Sequence, residues 1–119
     1  MGNPHSVVGV DDVGVVDLVD LGGRVPHINL EIVEPGPELN AITMRVHERG
    51  AGITMACGTG ACASAFAARS WGLVKASEPE VLVHMDGGSA TVSFDGEAPP
   101  RAILTGPVTF VATIEAEAP

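Results

Sequence analysis

Glu48-Arg49-Gly50-Ala51-Gly52 and, shortly after it, Ala56-Cys57-Gly58-Thr59-Gly60-Ala61 bring two charges, a thiol and a run of glycines into one stretch. The small residues Ala61, Ala63, Ser64, Ala65, Ala67 and Ala68 follow. This pattern predicts a tight loop running into a helix, with Cys57 at the helix start. The first N–H groups of a helix lack internal partners, and its dipole makes that end electropositive. A cysteine there is expected to ionise, because those donors stabilise the thiolate. The N–H groups of Gly58, Thr59 and Gly60 would form an anion site for a carboxylate or phosphate. Glu48 and Arg49 would stand at its mouth. The competing reading makes Cys57 a small buried apolar residue and the glycines mere turn formers.

Other thiol chemistries fit less well. Cys57 and Cys62 are five apart, so on a helix their side chains diverge by roughly 140°, which disfavours a disulfide between them. Two thiols with no nearby histidine make a poor zinc set. A Walker-type phosphate loop would need Lys-Ser/Thr after the glycines, and none follows. Cys62 reads as helix packing.

The elements that must position these groups can be read from hydropathy patterning. His5–Val10 reads as a strand after the Gly2-Asn3-Pro4 turn. Val15–Leu21 reads as a short helix ended by Gly22-Gly23. Ile28–Glu34 reads as a strand interrupted by Asn29, a residue disfavoured in strands, which suggests an edge or bulge position or a functional reason. After the Pro35-Gly36-Pro37 turn, Ala41–His47 alternates with Ile42, Met44 and Val46 apolar, so it pairs with Ile28–Glu34 as a hairpin and delivers Glu48 and Arg49 to the loop. From Gly58 a helix runs to about Trp71 with Gly72 as its stop. It is apolar on most sides and therefore buried on most sides. Strands follow at Glu80–Met85 and Ser89–Phe94 around the Asp86-Gly87-Gly88 turn, then at Ala102–Thr105 and Val108–Ile114. His27 and His84 read as structural or exposed, and Glu115–Pro119 as a frayed tail. The expected fold class is α+β, a mixed or antiparallel β-barrel-like sheet wrapped around one central apolar helix.

Composition limits the remaining options. At 119 residues and 45% hydrophobic content, with a single domain's length, the chain can bury a real core. Three Phe, one Trp and no Tyr leave that core to Val, Ile, Leu and Ala. A net charge of −9 argues against nucleic acid and anionic membranes as partners. With no basic segment leading an apolar one and no bilayer-length apolar run, the expected location is cytoplasmic.

Arg45-Val46-His47-Glu48-Arg49-Gly50-Ala51-Gly52, then Thr54 and Ala56-Cys57-Gly58-Thr59-Gly60-Ala61, resembles the second cysteine motif of diaminopimelate epimerase. Gly2-Asn3-Pro4-His5, Asn29-Leu30-Glu31-Ile32 and Leu104-Thr105-Gly106-Pro107 extend the resemblance over nearly the whole chain, with Ser6 where the family often has Cys. The connection over residues 11–27 looks shortened. The resemblance implies a barrel around a helix and a cofactor-independent epimerase without metal, which inverts the α-carbon of an amino diacid with two cysteines. It implies Cys57 as one acid/base thiol, Glu48 as binder of the α-ammonium and aid to proton transfer, and His5 as support for the catalytic site. Asn3, Asn29, Arg49, Gly58 and Thr59 would join Glu48 in holding substrate. Residues 1–119 match only the C-terminal half of such an enzyme, and the Cys-Gly-Asn-Gly motif of the N-terminal half is absent. The expected partners are therefore a missing N-terminal half or a second copy with paired Cys57, and the chain alone is expected to be inactive. A carboxylate- or phosphate-binding module, or a thiol sensor, remains the alternative.

Overall fold

Runs of alternating Val, Ile, Leu and Met residues give this chain its strands, and a computed structural model describes residues 5–54, 57–75, 77–95, 101–106 and 110–113. In chain order these are β1 (His5–Gly9), a 3-10 turn (Val13–Val15), α1 (Leu18–Arg24), β2 (Asn29–Pro35), β3 (Ala41–Glu48) and β4 (Gly52–Thr54). Then come α2 (Gly58–Ser70), β5 (Glu80–Met85), β6 (Gly88–Phe94), β7 (Arg101–Thr105) and β8 (Phe110–Thr113).

The strands form one mixed sheet in the order β1-β2-β3-β5-β6-β7-β8, with β4 on β3. β1 runs parallel to β2, and β3 parallel to β5; the other pairs are antiparallel. β3 divides its partners: Ala41–Thr43 pair with β5, whereas Val46–Glu48 pair with β4. A sheet whose members from β1 to β8 nearly all contact one helix is curled around it, and α2 is that helix. The α+β half-barrel about an apolar helix is therefore the fold observed.

Small residues let the sheet close on α2. Ala61, Cys62, Ala65 and Ala68 pack against Val33, Ile42, Met44, Val46, Val81, Val83, Val92 and Leu104, and Ser64 Oγ sits 3.1 Å from Met44 Sδ. A second, smaller core joins Val13 and Leu18 to Leu30 and Ile32 on the opposite face of β2. β2 is thus covered on both sides, and alternate residues face different cores. Asn29, Glu31 and Val33 share the α2 side.

The expected helix over Val15–Leu21 is displaced. Its first residue, Val15, ends the 3-10 turn, and the α-helix starts after Asp17, whose carboxylate accepts from the Asp20 N–H at 3.0 Å. Gly22-Gly23 lie inside it rather than ending it. Gly22 is there for packing: a methyl at its Cα would overlap the His47 ring. Asn29 also departs from an edge reading, since β2 is flanked by β1 and β3. The β2–β3 hairpin, the α2 boundaries and the hairpin at Asp86-Gly87 follow expectation, with Trp71 as C-cap and Gly72 at φ 79°. β4 was not anticipated. Among the described residues no helix is long and apolar enough to cross a membrane. The expected tail at Glu115–Pro119 lies outside the described residues.

Candidate active site

Cys57 is the N-cap of α2, with extended backbone (φ −150°, ψ 110°). Its Sγ accepts from the Gly60 N–H at 3.3 Å and lies 3.6 Å from Thr59 Oγ1. The thiol thus takes the capping role usually held by a Ser or Asp oxygen. Ala61 N–H closes the first helical turn onto the Cys57 carbonyl at 2.8 Å. The N–H groups of Gly58 and Thr59 precede that bond, so no carbonyl of α2 can accept from them.

The expected easy ionisation of Cys57 is overturned. Burial pushes its thiol above the ordinary range, and the nearby carboxyl groups of Glu48 and Glu31 add to that push; the bonds from Thr59 and Gly60 oppose it without prevailing. The side chain is only 9% exposed. Helix-start donors stabilise a thiolate, but burial removes the water that would otherwise solvate its charge, and here that loss is the larger effect. Cys62 is 1% exposed and packs in the core, where burial pushes its thiol up to about 11. Both cysteines are free thiols.

Three strands bring the other groups to this end of α2. β3 ends at Glu48, whose Oε2 accepts from Thr54 Oγ1 at 2.5 Å, so the unanticipated β4 clamps the acid. Arg49 follows, exposed, and its main-chain N–H donates to Asn29 Oδ1 at 2.6 Å. Asn29 is 2% exposed and so ties β2 to the turn that carries both charges. His5, on β1, places Nδ1 2.8 Å from Glu31 Oε2. Cys57, Glu48, Arg49, Asn29, His5, Gly58 and Thr59 therefore share one region, whereas Asn3 lies outside the described residues.

Glu31 is the residue that sequence reasoning passed over. It is fully buried, and a point 3.1 Å from its Oε2 is also 3.1 Å from Cys57 Sγ, at the place where a Cβ on Gly60 would stand. Burial raises its carboxyl above the usual carboxylate range, Glu48 adds to this, and His5 works against it. A signal was available: Asn29 and Glu31 stand two apart among Leu30, Ile32 and Val33, hence on one face of the strand. His27 is exposed, and His84 on β5 lies 2.8 Å from Ser89 on β6 and 2.8 Å from Glu38 in the turn between β2 and β3. No group of three His, Cys, Asp or Glu side chains that could hold a metal ion occurs among the described residues.

Arranged this way, the region can bind an anion at the α2 start, hold a cation at Glu48 and exchange a proton through Cys57. The family profile described as diaminopimelate epimerase matches residues 1–111. The chain is 39% identical over 123 residues to the diaminopimelate epimerase of Thioalkalivibrio sulfidiphilus, covering 95% of this chain and 42% of that protein. It is 42% identical over 118 residues to that of Cupriavidus necator, covering 93% and 39%. The chain thus spans about two fifths of the length of these curated relatives. Among solved structures, PhzF-family phenazine biosynthesis proteins from Bacillus anthracis and Enterococcus faecalis superpose with TM-scores of 0.70 at 19% and 14% identity. They cover 87% of this chain and 35% and 37% of theirs, a likeness of fold.

Proposed function

We propose, from the premise that this chain belongs to the diaminopimelate epimerase family, that it carries one half of an active site that inverts the α-carbon of diaminopimelate. Cys57 is one of its two acid/base thiols. The observation that carries this is the setting of Cys57: a buried thiol at a helix start, bonded by Gly60, with Glu48 beside it.

Inversion needs a base on one face of the α-carbon and an acid on the other, since one group cannot reach both sides of a planar carbanion. The two thiols must then differ in protonation at the start of each turnover. Burial and two neighbouring carboxyl groups keep Cys57 protonated in the free chain, so it enters as the acid when the opposing thiol is the base. In the other direction it must lose its proton. An ammonium bound at Glu48 favours that loss, because it offsets one of the two charges that oppose a thiolate. The substrate carboxylate lies against the N–H groups of Gly58 and Thr59, where helix donors stabilise the charge that develops as the α-proton leaves. Arg49 stands beside it. Asn29 and Asn3 hold substrate in this reading, and His5 supports proton transfer.

The second thiol comes from outside residues 1–119, because Cys62 is sealed in the core on the same helix. An N-terminal half or a second copy of this chain is the partner that supplies it. The chain by itself is inactive, needs no cofactor and works in the cytoplasm. A thiol sensor needs a readily ionised cysteine, and the raised Cys57 thiol weighs against that role.

Solvent deuterium incorporation at the α-carbon of diaminopimelate tests this with the chain alone, with Cys57→Ala and with an N-terminal half added. Exchange only on complementation, lost in Cys57→Ala, is the expected result. Exchange by the chain alone would replace the N-terminal half with a homodimer, and none with a folded partner would reject the proposal.

A further inference from the structure

In the reading above Glu31 only adds to the charge that opposes a Cys57 thiolate, and its buried position beside His5 demands a further role. A carboxyl group in a core costs free energy unless it is paired, and an apolar side chain of similar size avoids that cost. Glu31 is fully buried, and its Oε2 lies 2.8 Å from His5 Nδ1. Its Oε1 and the His5 Nε2 are buried with no hydrogen-bond partner among the described residues. The pair lies near Cys57, since a Cβ at Gly60 would stand 3.1 Å from both Glu31 Oε2 and Cys57 Sγ.

The geometry is that of a carboxylate holding an imidazole by one nitrogen so that the other is presented in a fixed state. β1 and β2 supply the two residues from neighbouring parallel strands, His5 opposite Asn29 and Glu31 two residues further on. Both strands are fixed by the sheet, so the pairing does not depend on a mobile loop.

We infer that Glu31 is a positioning residue of this site: its carboxylate accepts from Nδ1–H of His5, fixes the tautomer so that Nε2 is the acceptor, and couples its charge to the Cys57 thiol. The inference rests on the proposed function for the use of His5 in proton transfer, but not for the pairing itself. The ionisable groups gathered here among the described residues are His5 from β1, Glu31 from β2, Glu48 from β3, the exposed Arg49 that follows it and Cys57 at the start of α2, with Cys62 further along the helix. Glu31 and Glu48 both oppose a charge on Cys57, which agrees with the coupling.

Side-chain 15N NMR of the 119-residue chain near neutral pH reads the tautomer directly, with exposed His27 as the internal reference. Expected is a protonated, pyrrole-like Nδ1 and a pyridine-like Nε2 for His5; the opposite tautomer, or averaging like that of His27, overturns the inference. The pH profile of Cys57 alkylation gives the second readout, with Cys57→Ala as the blank. Glu31→Gln keeps a hydrogen-bonding side chain and removes the charge, so the midpoint moves to lower pH; an unmoved midpoint overturns the coupling. In a complemented, active assembly the same variant lowers kcat by about a hundredfold, within the range a positioned acid or base contributes, while KM is held. A changed KM with kcat intact contradicts a positioning role. The first two readouts need neither turnover nor a partner, and the first needs no variant. If they hold while deuterium exchange fails, the proposed reaction is what fails.

Discussion

The side-chain oxygen of Asn29 accepts a 2.6 Å hydrogen bond from the main-chain N–H of Arg49, so a buried residue of β2 fixes the turn that presents Glu48 and Arg49. The pairing also explains how a polar residue is tolerated in a strand covered on both faces.

Asn29→Ala should leave the fold intact and loosen that turn. Loss of one such bond, with a donor left unpaired, costs about 1–2 kcal/mol. Urea denaturation would show it as a lower midpoint at unchanged slope. A midpoint equal to the parent's would mean that the bond does not hold the turn.

Gly22→Ala should destabilise, against the usual gain of up to about 1 kcal/mol for replacing a helical glycine by alanine. The added methyl would run into the His47 ring, and overpacking of this kind costs about 1–3 kcal/mol. His47→Ala should relieve it, so that the double variant is more stable than the two single losses predict. Simple additivity in that double-mutant cycle would remove His47 as the cause.

Gly60→Ala should spare α2 and slow Cys57 alkylation. Its methyl would stand 3.1 Å from Cys57 Sγ and 3.1 Å from Glu31 Oε2, closer than ordinary contact, so the thiol or the carboxyl must shift. Far-UV circular dichroism and alkylation rates on one sample separate helix loss from thiol displacement. Unchanged rates with a folded helix would show that the gap is not tight.

Alkali should weaken the fold through Cys62. Its thiol is raised from 9.0 to about 11, chiefly by burial and further by Cys57. Between those two pH values the unfolded chain has released this proton while the folded chain retains it. Stability is therefore full below about pH 9 and declines as pH rises toward 11, by on the order of 3 kcal/mol. The raised Cys57 thiol acts in the same direction. Urea midpoints from pH 7 to 11 under reducing conditions should fall, and Cys62→Ala should flatten the slope. An equal slope in the variant would point to another group.

Sequence alone determined the parts of this protein that depend on local chemistry. Glycine before and after small residues set the boundaries of α2, alternation in Ala41–His47 set the β2–β3 hairpin, and the Glu48-Arg49 and Cys57-Gly58-Thr59 motifs marked the candidate site. These signals are local because turn conformation, capping and side-chain alternation act within a few residues. Tertiary structure decided the rest. Whether Gly22 ends a helix or admits a histidine ring depends on β3, which the helix itself does not encode. Whether a helix start ionises Cys57 depends on how much water the curled sheet removes and on which carboxyl groups it brings near, and burial prevails. Glu31 shows the division most plainly. In sequence it is one of two glutamates in a strand otherwise rich in Leu, Ile and Val, and it comes near His5 and Cys57 only because parallel pairing of β1 with β2 and the approach of α2 bring three distant segments together.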